Sequence, residues 1–207
     1  MTPSDPMLPD VQAAVLTAQD YSDSLAMFDR VDDMNRSSPR NFPPGVGATA
    51  TYAGIMDAQF PLPDNLSQHL VGDVELDITF DTRTLGNVAG RIDNLHIVNN
   101  GIPNEQLTGS VVMGGQYNFT GNDELNVNGR GDLTGTFGTD RVGTMNFGIT
   151  LTGDMRGKDA DQIIGITGRV RGNAYGDFGY PLFYSETSAG IQAGQFYLVR
   201  EGATVPD

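Results

Sequence analysis

The chain has 207 residues, 27 glycines, no cysteine and a formal net charge of −14. This length suits one large all-β domain, or a modest domain with an extension. The absence of cysteine excludes disulfides, thiolate metal sites and a cysteine nucleophile. Because acidic residues outnumber basic ones, the sequence predicts no positively charged surface that would attract nucleic acid or an anionic membrane. No apolar run approaches the roughly 18 residues of a membrane helix, so no membrane span is predicted.

The first segment, from Pro9 to Met34, is predicted to be helical. Its apolar residues recur at helical spacing and would form one stripe: Val11, Val15, Ala18, Tyr21, Leu25 and Phe28. Pro9 and Asp10 suit a helix start. The "YSDS" at residues 21–24 is a weak point that could divide the segment into two shorter helices.

An apolar stripe of this length must be buried against another protein surface. The helix either packs on the domain that follows or docks on another chain. We expect docking on a neighbouring subunit, through Val11, Val15, Ala18, Leu25 and Phe28.

A linker rich in proline, serine and glycine follows, from Asn35 to Gly47, and it cannot continue a helix. Beyond it the hydrophobic period changes from near 3.6 to 2. We therefore predict a helical arm with its linker over residues 1–47 and a β domain over residues 48–207.

Eight runs in the second part are typical of strands: 48–60, 71–81, 86–98, 106–121, 129–138, 142–153, 162–176 and 190–201. In the second run, apolar residues such as Leu76 and Ile78 alternate with polar ones, as in a half-buried antiparallel strand. The double glycine Gly114–Gly115 indicates a bulged strand or a hairpin tip.

These patterns predict a mainly β fold. It is an antiparallel barrel of roughly eight strands, or a closed sandwich, preceded by the helical segment. Glycines inside the strands would let a small sheet curl and close, and aromatic residues opposite them would fill the space.

Two glycine- and aromatic-rich hairpins carry a family resemblance: "GTFGTDRVGTMNFGI" (135–149) and "GNAYGDFGYPLFYSETSAGIQAGQFYL" (172–198). Together with "VELDITFDTRTLGNVAGRI" (74–92), they resemble the eight-stranded barrels of the transferrin-binding-protein B-like family, over roughly Ala48 to Glu201. Those barrels occur in bacterial surface lipoproteins and in related haem-binding and host-factor-binding proteins. The resemblance implies partner binding through variable loops, and it transfers no individual site residue. The family's surface lipoproteins need a signal peptide and a lipidated cysteine, and neither pattern is seen in this chain.

Side chains suited to catalysis or to metal binding are few. The two histidines, His69 and His96, form no HxH or HExxH pair, and there is no GxSxG elbow for a serine nucleophile. The sequence therefore predicts no enzyme, no metal and no cofactor. Haem is the alternative ligand, because histidine or tyrosine can bind its iron. The candidate ligands are His96, Tyr117, Tyr180 and Tyr184.

The sequence favours a non-enzymatic structural or adhesive subunit of a larger assembly, extracellular or on the surface of a particle such as a virion. The barrel would present loops for binding, and the helical arm would dock on a neighbouring subunit. The alternative is an exported cell-surface barrel that binds haem or a host protein. The predicted partners are other protein subunits, or a host or cell-surface protein, and not nucleic acid.

Overall fold

The computed structural model describes residues 16–35, 47–61, 67–82, 85–118, 125–137, 141–157, 163–176 and 194–206. Within these ranges the chain forms one helix, α1 (Ala18–Asp32), and nine strands. The strands are β1 (Thr49–Pro61), β2 (Ser67–Phe80), β3 (Leu85–Asn99), β4 (Ile102–Gln106), β5 (Val111–Asn118), β6 (Leu125–Phe137), β7 (Arg141–Arg156), β8 (Gly165–Gly176) and β9 (Gly194–Arg200).

The strands form one antiparallel sheet that closes in a ring. The ring order is β1, β2, β3, β5, β6, β7, β8 and β9, and β9 pairs back with β1. The short strand β4 pairs with the end of β3, on the edge that β5 uses nearer the start of β3. The predicted antiparallel barrel of about eight strands is therefore confirmed. The sequence pattern does not predict β4, because Pro103 interrupts it and most of its side chains are exposed.

The interior of the ring is an apolar core built by strict alternation. In β2, Leu76 and Ile78 are fully buried, whereas Glu75 and Asp77 beside them are exposed. The largest fully buried side chains come from six different strands: Tyr52, Met56, Phe80, Tyr117, Phe137, Phe147 and Phe196. Phe80 and Tyr117 meet edge to face, with ring centroids 6.0 Å apart, which is a favourable aromatic geometry.

Glycines occupy inward positions where neighbouring strands approach closely. A Cβ at Gly168 would lie 2.1 Å from the carbonyl oxygen of Thr152 and 2.8 Å from the ring of Phe196. The Phe196 ring therefore fills space beside a position where no side chain fits. This is the arrangement that the glycine and aromatic pattern predicts for a sharply coiled, closed sheet.

The predicted bulge or hairpin tip at Gly114–Gly115 is wrong. Both glycines lie inside β5 and pair in unbroken register with β3 and with β6. The irregularity lies in β3 instead, where the register with β2 shifts. There Asn94 has a positive φ of 49°, a conformation that asparagine tolerates better than most residues.

Helix α1 begins at Ala18, and residues 9–15 of the predicted helical segment lie outside the described residues. Thr17 is its N-cap, and Thr17 and Asp20 form a capping box in which each side chain accepts a hydrogen bond from the other's backbone N–H. The helix continues unbroken through the "YSDS" stretch. Ser24 donates to the carbonyl oxygen of Tyr21, so its buried hydroxyl has a partner. Within the described ranges, no helix is long and apolar enough to cross a membrane.

The helix packs on the outside of the barrel through two apolar clusters. Near its start, Tyr21 packs with Val71 of β2 and Val98 of β3. Near its end, Val31 packs with Ile164 and Val205. The helix therefore crosses the outer surface of the barrel and leaves the interior to the strands.

The double glycine offers a matched test of barrel closure. A Cβ at Gly115 would lie 2.2 Å from the carbonyl oxygen of Asn126, whereas a Cβ at Gly114 would meet nothing within 4 Å. We expect Gly115→Ala to lower the free energy of unfolding by roughly 3 kcal/mol, because strand backbones must move apart. Gly114→Ala is the control and should change it by about 0.5 kcal/mol or less. Denaturant unfolding measures both, and equal effects would contradict the close approach.

Candidate functional site

Three polar side chains join the start of α1 to the barrel. The hydroxyl of Tyr21 donates to Oδ2 of Asp57 at 2.8 Å. Nδ1 of His69 lies 2.6 Å from Oδ1 of the same carboxylate. Asp57 and His69 point outward from β1 and β2, which pair antiparallel at this height. One carboxylate, only 12% exposed, therefore holds both a helix side chain and a strand side chain.

The surroundings shift the pKa values of both partners of Asp57. The hydrogen bond to Asp57 raises the pKa of His69 above its ordinary value, although partial burial opposes the change. Burial, and then the bond to Asp57, raise the pKa of the Tyr21 hydroxyl far above its ordinary value. Tyr21 therefore stays a hydrogen-bond donor at any physiological pH, while His69 gains a proton more readily than a free imidazole.

This group positions the start of α1 on the barrel. A histidine held by a carboxylate can act as a general base when a nucleophile lies within hydrogen-bond reach. In the described part of the chain, His69 makes no hydrogen bond to a serine or threonine hydroxyl. The described ranges also contain no group of three or more histidine, cysteine, aspartate or glutamate residues that could hold a metal ion.

A second polar group fixes the end of α1. Oδ1 of Asp32 accepts from Nη2 of Arg156 at 2.6 Å and from the hydroxyl of Thr167 at 2.8 Å. Nη1 of Arg156 also donates to the carbonyl oxygen of Met34. Arg156 and Thr167 belong to β7 and β8, so the two ends of the helix are bonded to strands on either side of β9.

The structure places the predicted docking residues of the helix in different surroundings. Leu25 packs with the cluster around Tyr21 on the chain's own barrel. Phe28 is half-buried, and Ala18 is exposed. Val11 and Val15 lie outside the described residues. Docking of the helix on a neighbouring subunit stays a prediction, whereas the face that includes Leu25 is already covered by the barrel.

The two described haem-ligand candidates lie on opposite faces of the sheet. Tyr117 points inward and is fully buried against Phe80. His96 points outward, as Val98 does two residues later, and its Nδ1 and Nε2 lie 3.3 and 3.2 Å from oxygens of Asn104 and Asn94. This placement does not bring His96 and Tyr117 to one ligand. Tyr180 and Tyr184 lie outside the described residues.

The outer surface of the barrel is divided by charge. Strands β1 to β3 carry five carboxylates against one arginine: Asp57, Asp73, Glu75, Asp77 and Asp93, against Arg91. Strands β6 to β8 carry four outward arginines against two carboxylates: Arg130, Arg156, Arg169 and Arg171, against Asp132 and Asp154. Three strands separate β2 from β7 along either path round the ring. The two sets therefore lie on opposite sides of the barrel.

We call the exposed carboxylates of β2, Asp73, Glu75 and Asp77, the acidic wall. The exposed arginines of β6 and β8, Arg130, Arg169 and Arg171, form the basic wall. The basic wall is an assembled surface, because strand register rather than sequence brings its members together. Thr150 of β7 lies between Asn128 of β6 and Arg171 of β8.

The basic wall is open to solvent and its arginines are uncompensated. Within the described residues, none of the three makes an ion pair. An open concavity of about 600 Å³ lies on this side, lined by residues that include Arg130, Thr150 and Val112. Val112 is 67% exposed. Sequence reasoning did not find this surface, because only Arg169 and Arg171 are neighbours in the chain.

No family model matches the chain, and no curated protein or solved structure matches it significantly. The resemblance to the transferrin-binding-protein B-like barrels stays a prediction.

The bond between His69 and Asp57 makes stability depend on pH. Because the folded-state pKa of His69 is raised above its unfolded value of about 6.5, its contribution is fully present below about pH 6.5. That contribution is lost as pH rises through the folded-state pKa.

We expect the wild type to exceed His69→Gln in unfolding free energy by roughly 1 kcal/mol or less in mild acid, since solvent screens the pair. The difference should shrink above neutrality, as denaturant unfolding from about pH 5 to 8.5 would measure. An NMR titration midpoint of His69 at or below about 6.5 would contradict it.

Two tyrosines test the value of a buried hydroxyl. The hydroxyl of Tyr52 is fully buried and has no hydrogen-bond partner among the described residues, whereas that of Tyr21 is bonded to Asp57. We expect Tyr21→Phe to lower the free energy of unfolding by about 1 to 2 kcal/mol. Tyr52→Phe should leave it unchanged or raise it, because an unsatisfied buried donor is removed. A loss of more than about 1 kcal/mol in Tyr52→Phe would show that its hydroxyl has a partner after all.

Proposed function

We propose that this protein is a non-enzymatic structural subunit of a larger assembly, and that the outer surface of its barrel contacts neighbouring protein subunits. The observation that carries the proposal is the basic wall. It is an exposed set of arginines that make no ion pair among the described residues, bordered by an exposed valine, in a chain whose net charge is −14.

The apolar interior of the barrel supports the proposal that contacts are made by its outer surface. The described inward side chains are apolar and form a single core cluster. Small-molecule sites instead combine an apolar pocket with a few convergent polar groups. Two hydroxyls, of Tyr52 and Tyr117, are buried in this core, whereas the charged side chains of the two walls and the polar groups around α1 lie outside the barrel.

The position of α1 supports the same proposal. The helix covers outer positions of β1, β2, β3 and β9, so the apolar part of the outer surface there is already buried. The arginines of β6 and β8 stay exposed. A surface of arginines with neighbouring polar and apolar groups is typical of protein interfaces, in which arginine is enriched and lysine depleted.

The test replaces the chain in its native source with the variant Arg169→Gln/Arg171→Gln. We expect the wild type to sediment with large particles, and the variant to be depleted from them roughly tenfold, because two charged interface contacts are lost. Arg91→Gln is the control, since Arg91 already pairs with Asp93 and three strands separate its strand, β3, from β8 along either path round the ring, and it should sediment as the wild type does.

Two results would contradict the proposal. The first is a wild-type chain that never sediments with particles. The second is a double variant that sediments as well as the wild type while circular dichroism shows both to be folded. Equal loss in Arg91→Gln would mean that net charge, rather than the basic wall, decides the outcome.

A further inference from the structure

We propose that the basic wall of one copy docks on the acidic wall of a second copy, so that barrels associate head to tail. This inference rests on the proposed function and names the neighbouring subunit. It commits to one occupant of the basic wall, a second copy of this chain.

Two of the three carboxylates of the acidic wall are hydrogen-bonded, and none of the three makes an ion pair among the described residues. Asp73 accepts from the side-chain amide of Asn94 at 3.0 Å, and Asp77 accepts from the hydroxyl of Thr51 at 2.6 Å. Both donors are neutral, so the negative charges persist. Arg91, the cation nearest in the sheet, pairs with Asp93 at 2.6 Å. The acidic wall therefore stays negatively charged and is complementary to the positively charged basic wall.

The two walls also agree in length. Asp73, Glu75 and Asp77 occupy alternate positions of one strand and span about 13 Å at the usual rise per residue. Arg169 and Arg171 occupy alternate positions of β8. Arg130 lies level with the next alternate position of β8, because it pairs with Gly148, which pairs with residue 173. The arginines therefore also span about 13 Å along the strand direction, one cation for each carboxylate.

The geometry determines the type of association. Because the walls lie on opposite sides of the ring, a copy that uses its basic wall keeps its acidic wall free. Such a contact is heterologous and continues into a chain or closes into a ring, unlike a two-fold dimer. Contacts between exposed charges are weak and are screened by salt, so association should depend on protein concentration and on ionic strength.

The experiment measures the mass of the full chain by sedimentation velocity over a range of concentrations. It is done at about 0.1 M salt, where the screening length is about 10 Å, and at about 1 M, where it is about 3 Å. We expect the wild type to grow beyond the monomer with concentration at the lower salt and to be monomeric at the higher. Arg169→Gln/Arg171→Gln and Glu75→Gln/Asp77→Asn should each stay monomeric.

The decisive measurement mixes the two double variants. Each has lost one wall and kept the other, so the mixture should form a one-to-one dimer and stop there. Asp23→Asn/Asp29→Asn is the matched control. It removes two exposed carboxylates from α1, as the acidic-wall variant removes two from β2, and it should associate as the wild type does.

Several results would overturn the head-to-tail contact. These are a wild type that is monomeric throughout, a double variant that still associates, and a mixture of the two variants that forms no dimer. Tight binding of a monomeric wild type to heparin, lost in Arg169→Gln/Arg171→Gln, would identify the basic wall as a polyanion site instead. If self-association fails while the arginine variant still leaves its native particles, the proposed function stands and the neighbour is a different protein.

Discussion

The constraint on which the structure depends is the closure of a small sheet. Strands can coil this sharply only where their backbones approach, and at Gly168 and Gly115 an opposing carbonyl oxygen occupies the place that a Cβ would take. Once the ring is closed, one face of every strand is committed to a common apolar core. The other face carries the packing site of α1 and the exposed charged side chains. The division between an inner apolar core and a mixed outer surface follows from closure.

Closure also decides where the helix lies. Because strand side chains fill the interior, α1 can bury its apolar side only on the outer surface. It is held there by the carboxylate of Asp57 at its start and by Arg156 near its end. Among the described residues, the helix covers outer positions of β1, β2, β3 and β9, while the arginines of β6 and β8 stay exposed.

The sequence predicts local features well and assembled features poorly. Alternation in β2 and the frequent glycines identify the strands and the barrel, because both signals lie within a few residues. The capping box at Thr17 sets the start of α1 at Ala18, and residues 9–15 of the predicted helical segment lie outside the described residues. The pattern wrongly predicts a bulge or hairpin tip at Gly114–Gly115, because glycine is favoured both in a bulge and where two strands approach closely. The sequence pattern does not predict the basic wall. Arg130 and Arg171 come together only through the register of β6, β7 and β8.

The net charge of −14 affects how association between copies of the chain depends on salt. Copies repel one another at long range, and this repulsion weakens as salt shortens the screening length. The attraction between the walls acts at contact distance, where partial desolvation protects it from screening until salt is high. Association should therefore be weak at very low salt, strongest near about 0.1 M and lost near about 1 M. A contact held mainly by apolar surface would instead strengthen steadily in salts that favour burial. The shape of the salt dependence thus separates the charged walls from an apolar interface.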